Sequence, residues 1–240
     1  MNNWEVQIEC FKGEFHLQVE LSGGSRPLAL IGANGSGKST MLRGVLGLEN
    51  PEHAFVRVGE RILHDSKASL CVPVEERNLA YLPQGLGLFP HMNVAENILF
   101  ADRSNALTLA ELIDGDYSAT LENLKIKPLL HRRPDELSAG ECQKVALARV
   151  MIQKPQMILL DEPASALDIL ARREVRKVLS EQLSDLGIPS ILVTHDFRDV
   201  RDLAADIAYL KMGKVEKAGS ADDFPGGEGD EFLNEFFAQP

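Results

Sequence analysis

Apolar and polar residues alternate from the start of the chain. Trp4, Val6, Ile8 and Cys10 are separated by polar or charged neighbours, and Phe15, Leu17, Val19 and Leu21 repeat the pattern. A period of two predicts two half-buried β-strands. A continuous apolar run, Leu28 to Ile31, comes next, followed by a glycine-rich segment that opens a helical pattern. Phe55, Val56 and Val58, then Ile62 and Leu63, predict short strands broken at Gly59, and Leu79 to Leu82 predicts another that stops at Pro83. From Val94 to about Leu130 the spacing turns helical and acidic, with Asp114-Gly115-Asp116 marking a turn between helices. That stretch reads as a helical subdomain inserted into the core. Beyond Pro134, helices around Ala139 to Val150 and Leu170 to Leu186 alternate with apolar strands Met157 to Leu160 and Ile191 to Thr194. Such alternation predicts a parallel sheet covered on both faces. The tail from Gly219 is rich in Gly, Asp and Glu, and Phe232, Leu233, Phe236 and Phe237 fit one face of a short terminal helix. No internal repeat is visible.

Composition narrows the setting. With 240 residues, 44% of them hydrophobic, the chain can bury a full core as one large domain or as one domain with a small insertion. A formal charge of -11 argues against a nucleic-acid partner, which normally meets a basic face. Cys10, Cys71 and Cys142 are odd in number, widely spaced and without a C-x-x-C pair, so reduced thiols in a cytosolic protein are expected rather than a disulfide framework or zinc cluster. No stretch approaches the apolar length of a membrane span, and Asn2, Asn3 and Glu5 do not resemble the start of a signal peptide. A soluble chain that docks on a membrane partner fits these facts.

The candidate chemistry sits at three places. Gly32-Ala33-Asn34-Gly35-Ser36-Gly37-Lys38-Ser39, with Thr40 behind it, follows an apolar strand and opens a helix. In that context it is a phosphate-binding loop: backbone N–H groups curl around the β-phosphate, Lys38 adds a point charge, and Ser39 offers a hydroxyl to Mg2+. Met157 to Leu160 then ends in Asp161 and Glu162. A buried parallel strand delivers its C-terminal residues to the ligand edge of the sheet, so Asp161 is placed to bind Mg2+ through water and Glu162 to orient or deprotonate an attacking water. Third, Leu137-Ser138-Ala139-Gly140-Glu141 precedes a helix. Ser138 with Glu141 is an S-x-x-E capping box, and the same hydroxyl, glycine and helix end are also a second anion site. Both readings stand at this level. Asp168 reads equally as a helix N-cap, Gln84 as the end of a strand, and His195 as an ordinary surface or core histidine.

In this order the motifs resemble the nucleotide-binding subunits of ATP-binding-cassette (ABC) transporters, over nearly the whole chain. The phosphate loop matches Gly32 to Ser39, the glutamine loop Gln84, the signature Leu137 to Glu141, the acidic strand end Asp161 and Glu162, the aspartate loop Ser165-Ala166-Leu167-Asp168, and the switch histidine His195. The resemblance implies an α/β fold, a P-loop NTPase mixed sheet core with an N-terminal antiparallel β subdomain and an inserted α-helical subdomain. Within one domain spanning 1–240, it divides the chain into a core at 1–89 and 136–218, a helical subdomain at 90–135 and a tail at 219–240. It also implies a head-to-tail homodimer or pseudo-dimer, each ATP lying between the phosphate loop of one subunit and Ser138, Ala139, Gly140 and Glu141, or their counterparts, of the other. Gln84 would sense Mg2+ and the attacking water, His195 would meet the γ-phosphate, and Asp168 would organise the dimer interface. The signature departs from the usual pattern at Ala139 and Glu141, which implies retuned closure. Phe11 is the expected adenine-stacking residue by its distance from the loop, with Phe15 and Trp4 as weaker candidates.

Gly87-Leu88-Phe89-Pro90-His91-Met92-Asn93-Val94-Ala95-Glu96-Asn97-Ile98 resembles the permease-docking segment of bacterial importers, and the run Arg61 to Phe100 looks most like the molybdate-type members. The implied setting is peripheral, on the cytoplasmic face of the inner membrane, with transmembrane permease subunits and an external solute-binding protein as partners and ATP and Mg2+ as cofactors. Those members often carry a C-terminal oxyanion-binding domain, and the chain ends too soon for one. An exporter subunit, or a soluble ATPase of the same family, is the alternative. Repair ATPases with long coiled coils and translation factors with two cassettes fit the pattern less well.

Overall fold

The structure is a computed structural model and describes residues 3–102, 106–165, 167–224 and 229–238. Asn2, Ala166 of the expected aspartate loop, and tail residues 225–228 and 239–240 lie outside the described residues. The chain begins with β1 (Trp4–Lys12), β2 (Phe15–Gly23) and β3 (Leu28–Ile31), then α1 (Lys38–Leu46). Next come β4 (His53–Val58), β5 (Arg61–Asp65), β6 (Leu70–Cys71) and β7 (Leu79–Leu82). A helical stretch follows, α2 (Val94–Leu99), α3 (Leu109–Asp114), α4 (Ser118–Asn123) and α5 (Ala139–Ile152). The chain finishes with β8 (Met157–Asp161), α6 (Ile169–Leu186), β9 (Ser190–Val193), α7 (Phe197–Asp202), β10 (Asp206–Lys211), β11 (Lys214–Gly219) and α8 (Glu231–Phe237).

Among the described residues, eleven strands form one sheet in the order β6-β5-β4-β1-β2-β11-β10-β3-β9-β8-β7. The half from β6 to β2 is antiparallel, and β10, β3, β9, β8 and β7 are mutually parallel. Burial on both faces explains the uninterrupted apolar runs of the parallel strands. In β8, Met157 and Leu159 join the core around α1, whereas Ile158 and Leu160 join the core under α5 and α6. β3 divides in the same way, Leu28 and Leu30 on one side and Ala29 and Ile31 on the other. By contrast β1 alternates: Trp4, Val6, Ile8 and Cys10 are buried while Glu5, Gln7 and Glu9 point outward.

Three features differ from the pattern. β9 begins at Ser190 and ends at Val193; just beyond it the Thr194 hydroxyl bonds Asp199 and accepts from the Asp196 N–H at 3.0 Å. β10 and β11 are not marked by alternation: β10 is buried along most of its length, and β11 is largely polar on an exposed rib. α7 covers six residues, too few for a helical period to register. Because β3, β7, β8 and β9 run parallel, the residues just beyond their C-terminal ends share one edge of the sheet.

Candidate functional site

At that edge β3 runs into the glycine-rich loop. Gly32 has φ 150°, and a Cβ there would lie 2.1 Å from the carbonyl oxygen of Leu210, so β10 leaves no room for a side chain. Gly37, at φ 107°, packs so closely that a Cβ would meet Leu17 Cδ1 at 2.7 Å and Phe15 Cζ at 3.0 Å. α1 starts immediately after it with no side-chain cap, which leaves its first N–H groups for an external acceptor. Lys38 Nζ donates to the carbonyls of Gly32 (2.7 Å) and Ala33 (2.9 Å). Burial pushes its ammonium below the ordinary lysine range, and the charges of Glu162 and Asp161 pull the other way. Among the described residues, the buried Ser36 hydroxyl has no hydrogen-bond partner. An uncapped helix end, a paired but redirectable cation and an orphaned hydroxyl together fit a polyanion.

Opposite the loop, β8 delivers Asp161, buried, and Glu162. The Tyr81 hydroxyl donates to Asp161 Oδ2 at 3.3 Å, and burial with that neighbouring charge pushes the phenol up to about 12. Glu162 adopts φ 51°, a left-handed conformation that turns the chain sharply off the strand. Gln84 Nε2 donates to Glu162 Oε2 at 2.8 Å, and His195 Nε2 lies 3.0 Å from Glu162 Oε1. Two residues from beyond the ends of β7 and β9 thus meet on the carboxylate of one from the end of β8. A cavity of about 690 Å3 joins them to Asn34, Gly35, Gly37, Lys38, Ser39 and Thr40, a size suited to a nucleotide-sized ligand. No group of three His, Cys, Asp or Glu side chains converges as a metal cage among the described residues. Ser39 and Asp161 carry oxygen donors of the kind that would suit Mg2+.

The remaining expected site residues lie apart from this cavity. Ser138 is the N-cap of α5: its hydroxyl and its N–H both donate to Glu141 Oε2 at 2.8 Å, and Glu141 N–H donates back at 3.3 Å. The capping box is therefore real. Backbone and hydroxyl donation from Ser138 hold the Glu141 carboxyl below its usual range, so Glu141 is folded onto its own helix end. Ser138 and Ala139 are nonetheless exposed, with Gly140 half-buried behind them. Asp168 caps α6, accepting from the N–H groups of Leu170 and Ala171 at 2.9 Å. Ser138 does not line the cavity that contains the loop.

The aromatic expectation needs correcting. In the β1–β2 hairpin Phe11 pairs with His16 and stacks on it at 4.1 Å, while Lys12 pairs with Phe15. Side chains alternate between sheet faces, so a one-residue offset reverses the facing. Phe15 and Lys12 line the cavity with the loop, and Phe11 does not. Trp4 is buried in the core. Tyr81, beside Asp161, carried no signal in the sequence beyond its place in an apolar strand.

Comparison with known proteins places this geometry in context. Residues 16–165 match the family model described as ABC transporter. The molybdenum import ATP-binding protein ModC of Vibrio parahaemolyticus is 34% identical over 91% of the chain and 58% of its own length. The Fe(3+) ions import ATP-binding protein FbpC of Pseudomonas fluorescens is 38% identical over 85% and 56%. The trehalose/maltose import ATP-binding protein MalK of Thermococcus litoralis is 34% identical over 98% and 60%. The chain thus spans about three-fifths of the length of these relatives. A solved dimeric ATP-binding cassette in a post-hydrolysis state, bound to ADP and Pi, superposes with a TM-score of 0.71 at 26% identity, over 90% of this chain and 98% of that one. A second structure, an ATP-binding subunit of an ABC transporter, shares the fold with a TM-score of 0.78 at 23% identity, covering 99% of this chain and 100% of its own.

Proposed function

Because the chain belongs to the ABC transporter family, we propose that it is the ATP-binding and ATP-hydrolysing subunit of a solute importer, working as a dimer on membrane permease subunits. The observation that carries the chemistry is Glu162 held between Gln84 and His195 across a cavity from the glycine-rich loop. Loop N–H groups and Lys38 bind the β- and γ-phosphates; Ser39, Asp161 and Gln84 would hold Mg2+, which would supply positive charge against the charge that develops on the phosphates. Glu162 takes the proton of the attacking water, and His195 orients toward the terminal phosphate. Ser138 to Glu141, with Asp168, serve the site of the second copy, which accounts for an exposed helix end remote from its own cradle.

Phe15, rather than Phe11, stacks on adenine in this reading. Phe15→Ala should weaken ATP binding by about tenfold to a hundredfold, the usual worth of one base on one ring, and Phe11→Ala should leave it unchanged. Fluorescent-nucleotide titration separates them, and equal losses in both would reject the assignment.

Permease docking falls to the segment 87–98. Asn97, fully buried, donates to the carbonyls of Phe89, Met92 and Asn93 and accepts from the Phe89 N–H. That single amide fixes a loop which presents Phe89 edge-on to exposed Phe100, with Arg149 over the Phe89 ring. A rigid aromatic and cationic surface suits a short helix of a membrane partner. Among the described residues no helix is long and apolar enough to cross a membrane, in keeping with a peripheral subunit on the cytoplasmic face of the inner membrane. An external solute-binding protein would complete the system, and no nucleic acid takes part. For cargo, the run Arg61 to Phe100 and the ModC relatives favour molybdate or a related oxyanion. Deleting the chain should abolish uptake of labelled molybdate and leave ferric ion and maltose uptake intact. Loss of either of the others instead would reassign the cargo and leave the ATPase reading in place.

A further inference from the structure

The cavity at the glycine-rich loop holds a second lysine that no sequence motif marks. Of the residues lining it, Lys12 and Lys38 are the permanent cations, and the carboxylate of Glu162 faces them with opposite charge. Lys38 already donates to two carbonyls of its own loop. A polyanion entering a chain of net charge -11 thus meets little fixed positive charge besides the N–H groups of the loop and helix. Lys12 is the further source.

Its place follows from the hairpin. Lys12 closes β1 and lies directly opposite Phe15 of β2, and residues opposite one another in an antiparallel pair project from the same face. Both line the cavity. Lys12 Nζ donates to Glu49 Oε1 at 2.6 Å, and Nε of Arg43, in the last turn of α1, lies 2.9 Å from the same oxygen. Glu49 is therefore held twice, once by a lysine at the cavity and once by an arginine that does not line it. Departure of Lys12 would leave that carboxylate still paired. Nor does the hairpin rely on the bond: Glu52 Oε2, in the segment between α1 and β4, accepts from the Phe11 N–H at 3.1 Å. An ammonium on a flexible stem changes partner without disturbing the backbone.

We infer that Lys12 is a nucleotide-binding residue that leaves Glu49 for the α-phosphate, while Glu49 stays on Arg43 and acts as the competing acceptor. This rests on the proposed function, in which the base lies on Phe15 and the glycine-rich loop takes the β- and γ-phosphates. The phosphate nearest the base is then the one beside Lys12. The pair Lys12-Glu49 sets how tightly a nucleotide binds, whether or not a terminal phosphate is present.

The test is calorimetric titration of the full chain with ADP, and with ATP without added Mg2+ so that turnover does not intrude. Lys12→Met should weaken both nucleotides by the same factor, about threefold to tenfold, the scale of one charge-assisted contact discounted for exposure. Lys12→Arg keeps the cation, should bind nearly as the wild type does, and guards against loss of fold. Glu49→Gln frees the lysine and should tighten both nucleotides by about twofold to fivefold, the worth of an exposed ion pair. Placed on top of Lys12→Met it should change nothing. A purely structural role for the pair would instead weaken binding in Glu49→Gln too, and that result overturns the inference. So does a loss confined to ATP, which would put Lys12 at the terminal phosphate. If the wild-type chain binds both nucleotides and Lys12→Met binds them equally well, the inference alone falls; if the wild type binds neither, the proposed function falls with it.

Discussion

Glu162→Gln should retain ATP, lose turnover by about a hundredfold to ten-thousandfold, the range for removing a general base, and accumulate as a nucleotide-bound dimer. Glutamine is close in shape to glutamate, and its amide oxygen still accepts from Gln84 where the carboxylate oxygen did. What disappears is the capacity to take a proton at the position reached by Gln84 and His195 together. Binding depends on other atoms: the loop N–H groups, the Lys38 ammonium and the uncapped start of α1. Nucleotide affinity and chemistry should thus separate cleanly. The dimer accumulates because ATP that binds the closed arrangement more tightly than the open one shifts the population, and hydrolysis is the step that reverses the shift. Phosphate release measures the first effect and sedimentation velocity the second. A variant with wild-type turnover would remove Glu162 from the base role and pass it to another group at the cavity.

Local runs carried most of what was legible in the sequence. The glycine-rich loop and the pair Asp161-Glu162 are contiguous, and each follows an apolar run whose burial on both sheet faces the structure bears out. Gln84 and Glu162 are another matter: they are 78 residues apart, and only the parallel order β7-β8-β9 brings them and His195 together. No spacing rule contains that order, and the family resemblance implied only that the three residues serve one nucleotide. Phe11 illustrates a different limit. Distance along the chain placed an aromatic near the loop, but facing in a hairpin depends on parity, and the pairing of Lys12 with Phe15 turned Phe11 away. Ser138 illustrates a third. Its capping box forms in full, yet an exposed capping hydroxyl remains open to a second role, so the two readings were never exclusive. β10 and β11 leave no alternating signal in the sequence, because one is buried along most of its length and the other is polar on an exposed rib. β10 matters to the site, since its Leu210 sets the tight clearance at Gly32.

Gly140→Asp is the second large effect expected. A Cβ at Gly140 meets only Ala171 Cβ, at 3.4 Å, so the single chain has room for the new side chain. A carboxylate in the first turn of α5 also suits the positive end of that helix, and folding should be preserved. In a dimer that shares each nucleotide, the same carboxylate would face the terminal phosphate held by the other copy, where like charges with little water between them repel strongly. The cradle at Gly32 to Ser39 belongs to a different surface and is untouched, so each chain should still bind ATP by itself.

Sedimentation velocity of Glu162→Gln with saturating ATP, against the double variant Glu162→Gln with Gly140→Asp, puts the shared nucleotide to the question most directly. The single variant should run as a dimer and the double variant as a monomer that still carries ATP. A double variant that dimerises as readily as the single one would contradict the account, because the helix end at Ser138 to Glu141 would then have no part in closing over the nucleotide of a second copy.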